Sequence, residues 1–367
     1  MKKKGISITG AGPAGLSAAI NLADQFEVEV FEKEKDVGMK WEGSLQFLEN
    51  YTSQRDVFDW LEDVGIEPNF YSKPFFDIEV IAGRDKDAVL SSKKPLWYVV
   101  RRGNQKGMLD YALKKQAERK GVKINFMSRC KEPQIIATGP SSVEGLAREA
   151  IFETRLEDTF LVFLDNEIAP GGYAYLVVAD RVGTVCTAIT KNFENIDAYF
   201  KKTIERAREK KDLDMRNARI KTNFVSFYLT KSAKVGSRIY VGEAAGFQDF
   251  VFGFGLRYAI CSGYLAARSI TEKMDYDLLW KREFGEMLEL GILNRWIYEW
   301  GGNPYLKFLL EEAKRRGDFR KFLKDLNTAS FSKKLLIPLA KIGLGKAERC
   351  NHIENCVWCP RKKRWVA

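Results

Sequence analysis

A single histidine, His352, serves the whole 367-residue chain. Imidazole triads, facial triads and multi-histidine zinc catalysis are therefore excluded from its main body. Acid–base work there falls to Asp, Glu, Lys, Tyr, Cys or a bound cofactor. Cysteine is sparse as well: six thiols in 367 residues are too few for a disulfide-dense secreted scaffold. No stretch reaches the roughly 18 uncharged apolar residues of a spanning helix. Met1-Lys-Lys-Lys leads straight into a short β-rich run, not into the apolar core of a signal peptide. Internal repeats and low-complexity segments are missing too. With 45% hydrophobic and 30% charged residues, the chain is expected to be a folded cytoplasmic protein of two or three domains.

The net charge of +11 is unevenly spread. Residues 333–367 hold nine basic and two acidic side chains, which is +7 of the +11. A near-neutral body with a basic tail argues against a nucleic-acid groove through the body.

Periodicity locates the first unit. Gly5–Thr9 reads as a strand, an apolar helix pattern follows through Leu16, Ala19, Ile20 and Leu22, and Glu27–Glu32 alternates with period two. Helices are predicted over 54–65, 109–121 and 256–273, strands over 122–127, 133–139 and 238–242, and strands of another sheet between about 70 and 100. The segment 141–230 is strand-rich, with a loop and helix over 189–210, and the chain beyond 273 is mainly helical and aromatic.

Between the first strand and helix stands Gly10-Ala-Gly12-Pro-Ala14-Gly15, a GxGxxG turn, and Glu32 closes the second strand. Each part has a physical task. Gly10 makes the tight turn, Gly12 lets backbone approach a pyrophosphate, and Gly15 lets helix pack on strand. The helix N-terminus offers free N–H groups and a positive dipole end, and Glu32 can accept hydrogen bonds from a ribose. A dinucleotide is expected here.

Two later segments point to which one. Ala137-Thr138-Gly139 ends a strand. Gly242-Glu243-Ala-Ala-Gly246 is followed by Phe247-Gln-Asp-Phe250-Val-Phe252 and the turn Gly253-Phe254-Gly255. These boxes, with Arg102, resemble those of the p-hydroxybenzoate-hydroxylase-like flavoproteins. Within that group, Gly171-Gly172-Tyr173-Ala-Tyr175 and the helical last third resemble the geranylgeranyl reductases. The resemblance departs from the family in two places: Glu243 stands for the usual Asp, and Tyr175, Val177 and Val178 replace the Trp, Phe and Pro of the lipid-pocket motif. The first keeps the carboxylate; the second weakens the substrate assignment.

The resemblance implies an α/β fold: a Rossmann-like FAD-binding domain (1–75, 98–140, 232–272), a second, mainly antiparallel β-sheet substrate domain (76–97, 141–231), and a helical C-terminal region (273–367). It implies FAD, held by Gly10, Gly12, Ala14, Gly15, Glu32, Lys33, Arg102, Thr138, Gly139, Gly242, Glu243, Gly253, Phe254 and Gly255. It also implies hydride transfer from reduced flavin to double bonds of an isoprenoid or lipid-like substrate. Flavin monooxygenation and electron transfer to a quinone or protein partner use the same boxes and stay open. No catalytic side chain is assigned, since the flavin carries the hydride. Tyr173, Tyr175, Phe247 and Phe250 are candidates for the pocket, with Phe252, Phe254, Trp97 and Tyr98 near it, although each aromatic serves equally as core. The electron donor is NAD(P)H or a ferredoxin, since no separate nicotinamide domain is visible.

Cys350, His352, Cys356 and Cys359 fall within ten residues. Three thiols and an imidazole match a structural Cys₃His zinc site; an iron–sulfur centre is less natural with three thiolates, and free thiols or a disulfide are the further alternative. Cys130, Cys186 and Cys261 lie in apolar contexts and read as buried thiols. Upstream, apolar residues 335–344 are flanked by Lys333, Lys334 and Lys346. This pattern suits either peripheral contact with an anionic membrane face or a helix docked on the body.

Overall fold

The computed structural model describes residues 3–140 and 142–344. It opens on β1 (Gly5–Thr9), α1 (Pro13–Leu22) and β2 (Glu27–Phe31). β1 and β2 are parallel with Ile8 opposite Val30, and their alternation buries Ile6, Ile8, Val28 and Val30 on the helix-covered faces. β3 (Leu45–Glu49), α2 (Val57–Asp63) and β4 (Ser72–Phe75) follow. Asp56 caps α2 by accepting from Phe58 N at 3.0 Å. β5 (Asp77–Ala82) and β6 (Lys86–Ser91) form a hairpin, after which come β7 (Trp97–Arg101), α3 (Leu109–Arg119), β8 (Lys123–Asn125) and β9 (Ile135–Ile136).

The strand-rich stretch holds β10 (Gly145–Glu153), β11 (Thr159–Leu164), β12 (Tyr173–Ala179), β13 (Val182–Ile189), α4 (Ile196–Lys210) and β14 (Arg216–Val225). β15 (Lys234–Val235), β16 (Arg238–Tyr240) and α5 (Leu256–Thr271) return the chain to its first unit. The last part is helical: α6 (Tyr276–Trp280), α7 (Glu286–Arg316), α8 (Phe319–Leu326) and α9 (Phe331–Leu344).

Among the described residues the strands form three sheets. The first, ordered β15-β16-β9-β1-β2-β8, is parallel except for the β15–β16 pair. Parallel strands need helical crossovers, and α1, α3 and α5 pack on this sheet. α1 and α5 cross so closely that a Cβ on Gly263 would lie 2.2 Å from Ala14 O, and Ser17 Oγ donates to Ile260 O at 2.8 Å. The second sheet, β14-β10-β13-β12-β11-β5-β6, is antiparallel apart from β5–β11. Its Phe152, Phe163 and Leu176 pack with Phe200 and Ala207 of α4, while Val80, Phe160 and Val177 face the other way.

The third sheet, β3-β7-β4, lies over that other face. The strands predicted between 70 and 100 are thus divided: β5 and β6 extend the large sheet, whereas β4 and β7 pair with β3. Sequence patterning misses β3, because Leu45, Phe47, Leu48 and Glu49 are all buried and no period-two alternation survives.

The α7 helix breaks at Gly302 (φ 52°, ψ −156°), two residues before Pro304. Its two parts reach different cores, Leu290 and Leu293 the first sheet's and Leu310 the third sheet's. α9 lies beside α7, with Lys334 paired to Glu286 at 2.6 Å and Lys341 to Glu289 at 2.9 Å. Ile337 and Ala340 are buried, and Leu335, Leu339 and Ile342 are exposed. Among the described residues no helix is long and apolar enough to cross a membrane.

Candidate functional site

The C-terminal ends of β1, β2, β9 and β16 meet at one edge of the parallel sheet, where ligands of such folds are held. Gly10, at the end of β1, has φ +101° and donates to Phe31 O at 2.8 Å. A Cβ there would lie 2.2 Å from Ala137 O, and one on Gly15 would lie 2.0 Å from Gly10 O. Both positions are closed by the protein itself. Gly12 is different: a Cβ would meet no protein atom within 4 Å. Packing does not explain this glycine, and the space beside it is open to a ligand. Helix α1 starts there with Pro13 in its first turn and no side-chain cap, leaving its N-terminal N–H groups to a ligand. Glu32 accepts from Ala11 N at 2.7 Å and Glu34 N at 3.0 Å, which fixes its carboxylate beside the turn. The residues present fit a dinucleotide.

The second box closes on the same spot. Gly242 donates to Ser262 Oγ at 2.8 Å, and its Cβ position lies 3.0 Å from the Ala14 Cβ. Glu243 accepts from Ser226 N at 2.8 Å. Surrounding protein pushes its carboxyl up to about 7, with Lys40 pulling the other way. Desolvation in turn lowers the Lys40 ammonium, whose Nζ reaches Phe224 O at 3.5 Å. Glu243 keeps some solvent contact and Lys40 is exposed, as expected for groups along the walls of an open cleft. Beyond this box, Asp249 accepts from Val251 N at 3.0 Å and also from Phe252 N. Its own N–H donates to Phe254 O at 2.9 Å. The Gly253-Phe254-Gly255 turn is thereby set, and α5 begins after it without a side-chain cap.

An apolar cavity adjoins this turn. It is walled by β5, β6, β11 and β12 of the large sheet, by Phe47 and Trp97 of the small one, by Phe252 and Phe254, and by α7 and α8. No charged residue lines it. Tyr173, at the start of β12, donates its hydroxyl to Phe252 O at 2.6 Å. A smaller cavity lies on the other side of Tyr173 and Phe252. Arg295 lines it, 1% exposed, bonded to Glu299 at 2.6 Å and to Thr190.

Residues 8–52 match the family model of an NAD(P)-binding Rossmann-like domain. No curated protein matches the sequence. Among solved structures, a geranylgeranyl bacteriochlorophyll reductase-like protein from Thermoplasma acidophilum superposes with a TM-score of 0.70 at 16% identity, over 94% of this chain and 99% of that one. A flavin-dependent brominase gives 0.62 at 14% identity, over 89% and 93% of the two chains. A flavoprotein/dehydrogenase from Cytophaga hutchinsonii gives 0.57 at 17%, over 93% and 100%. The chain shares its fold with these proteins.

Within this fold the predicted residues separate into groups. Gly10, Gly12, Ala14, Gly15, Glu32, Gly242 and Glu243 gather at the end of the parallel sheet, and Thr138 and Gly139 extend from β9 beside them, Ala137 N donating to Thr9 O at 2.7 Å. Lys33 points outward, its side chain 67% exposed and 3.8 Å from Glu34. Arg102 is buried in a bidentate pair with Asp110, at 2.8 and 2.7 Å, with Gln46 accepting at 2.5 Å. Its charge is satisfied within the chain, and it orders the start of α3.

The aromatic candidates divide as well. Tyr173 lines both cavities. Tyr175 packs edge-on against Phe47 with centroids 5.3 Å apart, in the core beside the larger cavity. Phe247 stands 4.9 Å from Trp280 and Phe284, and Phe250 packs on Phe227 at 5.8 Å. These two phenylalanines belong to the core beneath the turn, while Phe252 and Phe254 reach the cavity. Cys186 and Cys261 are buried and Cys130 is half-buried, all as free thiols. Residues 350–359, with the Cys/His cluster, lie outside the described residues; among the described residues no group of side chains could hold a metal.

Sequence reasoning passed over Glu49 and Arg295. Both are charged side chains in apolar stretches, and a buried position is their only distinguishing mark. That mark is not written in local sequence.

Proposed function

We propose that this protein is an FAD-dependent oxidoreductase that reduces carbon–carbon double bonds of an isoprenoid or lipid-like substrate. Bound FAD would supply hydride from its reduced ring; the chain supplies binding, orientation and exclusion of water. The Gly10–Gly15 turn and the α1 N-terminus would hold the pyrophosphate, Glu32 the ribose, and the Gly253–Gly255 turn with the α5 N-terminus the flavin end. The observation that carries the substrate class is the cavity without charged residues next to that last turn. An apolar chain gains roughly 25 cal/mol for each Å² it buries there, and the site offers no charge to anchor a polar molecule.

The test is reconstitution with FAD, chemical reduction under nitrogen, and incubation with a polyprenyl substrate. Product heavier by two hydrogens per saturated bond supports the reading. Substrate-dependent incorporation of oxygen on mixing with air would replace it by monooxygenation, and a protein that binds no FAD would end it. Assays with NAD(P)H and with a reduced ferredoxin identify the donor. The exposed Leu335, Leu339 and Ile342 of α9, together with the basic tail, support peripheral contact with an anionic membrane, which vesicle sedimentation measures. Zinc at Cys350, His352, Cys356 and Cys359 is likewise part of the proposal. Metal analysis of wild type against Cys356→Ser distinguishes it from iron–sulfur and from free thiols.

A further inference from the structure

β14 is an open edge of the large sheet. Among the described residues it pairs only with β10, and residues 216–220, Thr222 and Phe224 are exposed. Its 10 residues make an edge roughly 34 Å long. The register sorts its side chains by face: Arg219 and Lys221 stand opposite Ile151 and Glu149, while Ile220 and Phe224 stand opposite Ala150 and Leu146 on the other face. Arg219 Nη2 lies 2.7 Å from the Cβ position of Gly43, Lys221 Nζ donates to Glu42 O at 2.8 Å, and Lys40 Nζ reaches Phe224 O at 3.5 Å. The strand ends at the candidate site. Val225 Cγ1 lies 3.8 Å from the Cβ position of Gly253, and Ser226 N donates to Glu243 at 2.8 Å.

This end of the edge is cationic. Arg216 is held by Asp214 at 3.3 Å, but Arg219, Lys221 and Lys40 have no carboxylate oxygen within 4 Å among the described residues. The neighbouring Glu149 turns inward, 3% exposed, and accepts from Ser44 at 2.7 Å and Asn223 at 3.0 Å. Glu42, half-buried, is one acid against three cations. An uncovered strand edge with unpaired charge is a surface prepared for another molecule.

We infer that this end of β14, with Lys40, is the docking surface for a small acidic one-electron carrier protein that supplies the reducing electrons. Charge complementarity selects that partner: opposite charge steers the encounter and rejects basic proteins. Ile220 and Phe224, 57% and 49% exposed, add apolar contact beside the cations, the mixture of arginine and apolar side chains that protein interfaces favour. The cations are spread along an exposed ridge, which suits a broad acidic surface more than a single enclosed phosphate. The chain also has one GxGxxG turn, at Gly10–Gly15, and that turn is already assigned to the resident dinucleotide. Two carriers dock in succession, each oxidised by one electron. With one proton from solvent, these two electrons restore the hydride equivalent that one double bond consumes; the second hydrogen of the product is a solvent proton.

The inference rests on the chain being a flavin-dependent reductase, and the experiment separates the two. Reduction of the FAD-loaded full chain by a reduced plant-type [2Fe–2S] ferredoxin, an acidic one-electron carrier, is followed by anaerobic stopped-flow absorbance. The expected second-order rate constant falls at least ~tenfold between roughly 50 and 500 mM salt. The double variant Arg219→Glu, Lys221→Gln is slower by at least ~tenfold at the lower salt. Its flavin content, its melting temperature and its photochemical reduction match wild type. Lys201→Glu, a charge reversal on α4 at a side chain 81% exposed, leaves the rate within about twofold of wild type. A rate that ignores salt, or a double variant as fast as wild type or no slower than Lys201→Glu, overturns the inference. No reduction by the carrier also overturns it; if NADPH then reduces the flavin, the reductase reading stands with a nicotinamide donor. A chain that binds no FAD removes both together.

Discussion

Tyr173 of the large sheet donates its hydroxyl to the backbone oxygen of Phe252 at 2.6 Å. This bond ties the strand that walls the apolar cavity to the loop that leads into the Gly253–Gly255 turn. Their rings also meet edge-on, with centroids 5.5 Å apart, and together they separate the two cavities. Removing the hydroxyl with Tyr173→Phe leaves a carbonyl short of a partner and loosens the partition. A loss of about 1–2 kcal/mol is expected in urea unfolding, with weaker retention of apolar ligands; unchanged stability would show that the loop holds itself.

The three glycines of the first turn answer differently to an added side chain. Gly12→Ala places its methyl where no protein atom lies within 4 Å. Stability is expected to stay within about 0.5 kcal/mol of wild type, while FAD affinity, followed by flavin fluorescence quenching, falls at least about tenfold. Gly15→Ala drives a methyl to 2.0 Å from Gly10 O and is expected to unfold at markedly lower temperature whether or not FAD is present. Equal behaviour of the two variants would contradict a ligand at Gly12.

Arg102 and Asp110 form a buried bidentate pair, their side chains 5% and 1% exposed. Breaking one side leaves an uncompensated charge, so Asp110→Asn is expected to cost about 3–5 kcal/mol in denaturant unfolding. Replacing both with apolar residues of similar volume costs less than the single change. A double variant as unstable as the sum of two independent losses would show that the pair stabilises beyond its own satisfaction.

Burial raises the Glu49 carboxyl to about 7, with Arg257 opposing and Asp249 adding. The folded state therefore binds this proton more tightly than the unfolded chain, whose value is near 4.5. The resulting stabilisation is full below about pH 4.5 and is lost as pH rises through 7. Its size is on the order of 3 kcal/mol. Glu49→Gln should remove this share of the slope and be the more stable protein at pH 8, read from unfolding curves at pH 5 and pH 8. Parallel pH dependence in both proteins would place the titrating group elsewhere.

Much of the candidate cofactor site could be read directly from the chain. A strand, a GxGxxG turn, an apolar helix and a second strand ending in Glu32 are contiguous, and local periodicity with glycine sterics suffices to build them. The helices over 109–121 and 256–273 are observed as Leu109–Arg119 and Leu256–Thr271, shortened at ends where turn residues compete. The later boxes were legible because small residues at a strand end have few other uses.

What the tertiary structure alone decided is which side chains stand together. Phe247, Phe250, Phe252 and Phe254 are alike in sequence, yet the turn around Asp249 sends the first two into the core and the last two to the cavity. Arg102 bears a charge that a ligand could have used, and the fold spends it on Asp110. Glu49 and Trp97 meet only because β7 pairs with β3 across an intervening helix and three strands. Sequence determines patterns over one or two turns, whose energies are local. The partners of a buried polar group are set by long-range strand pairing and by what remains unfilled after the cores have packed.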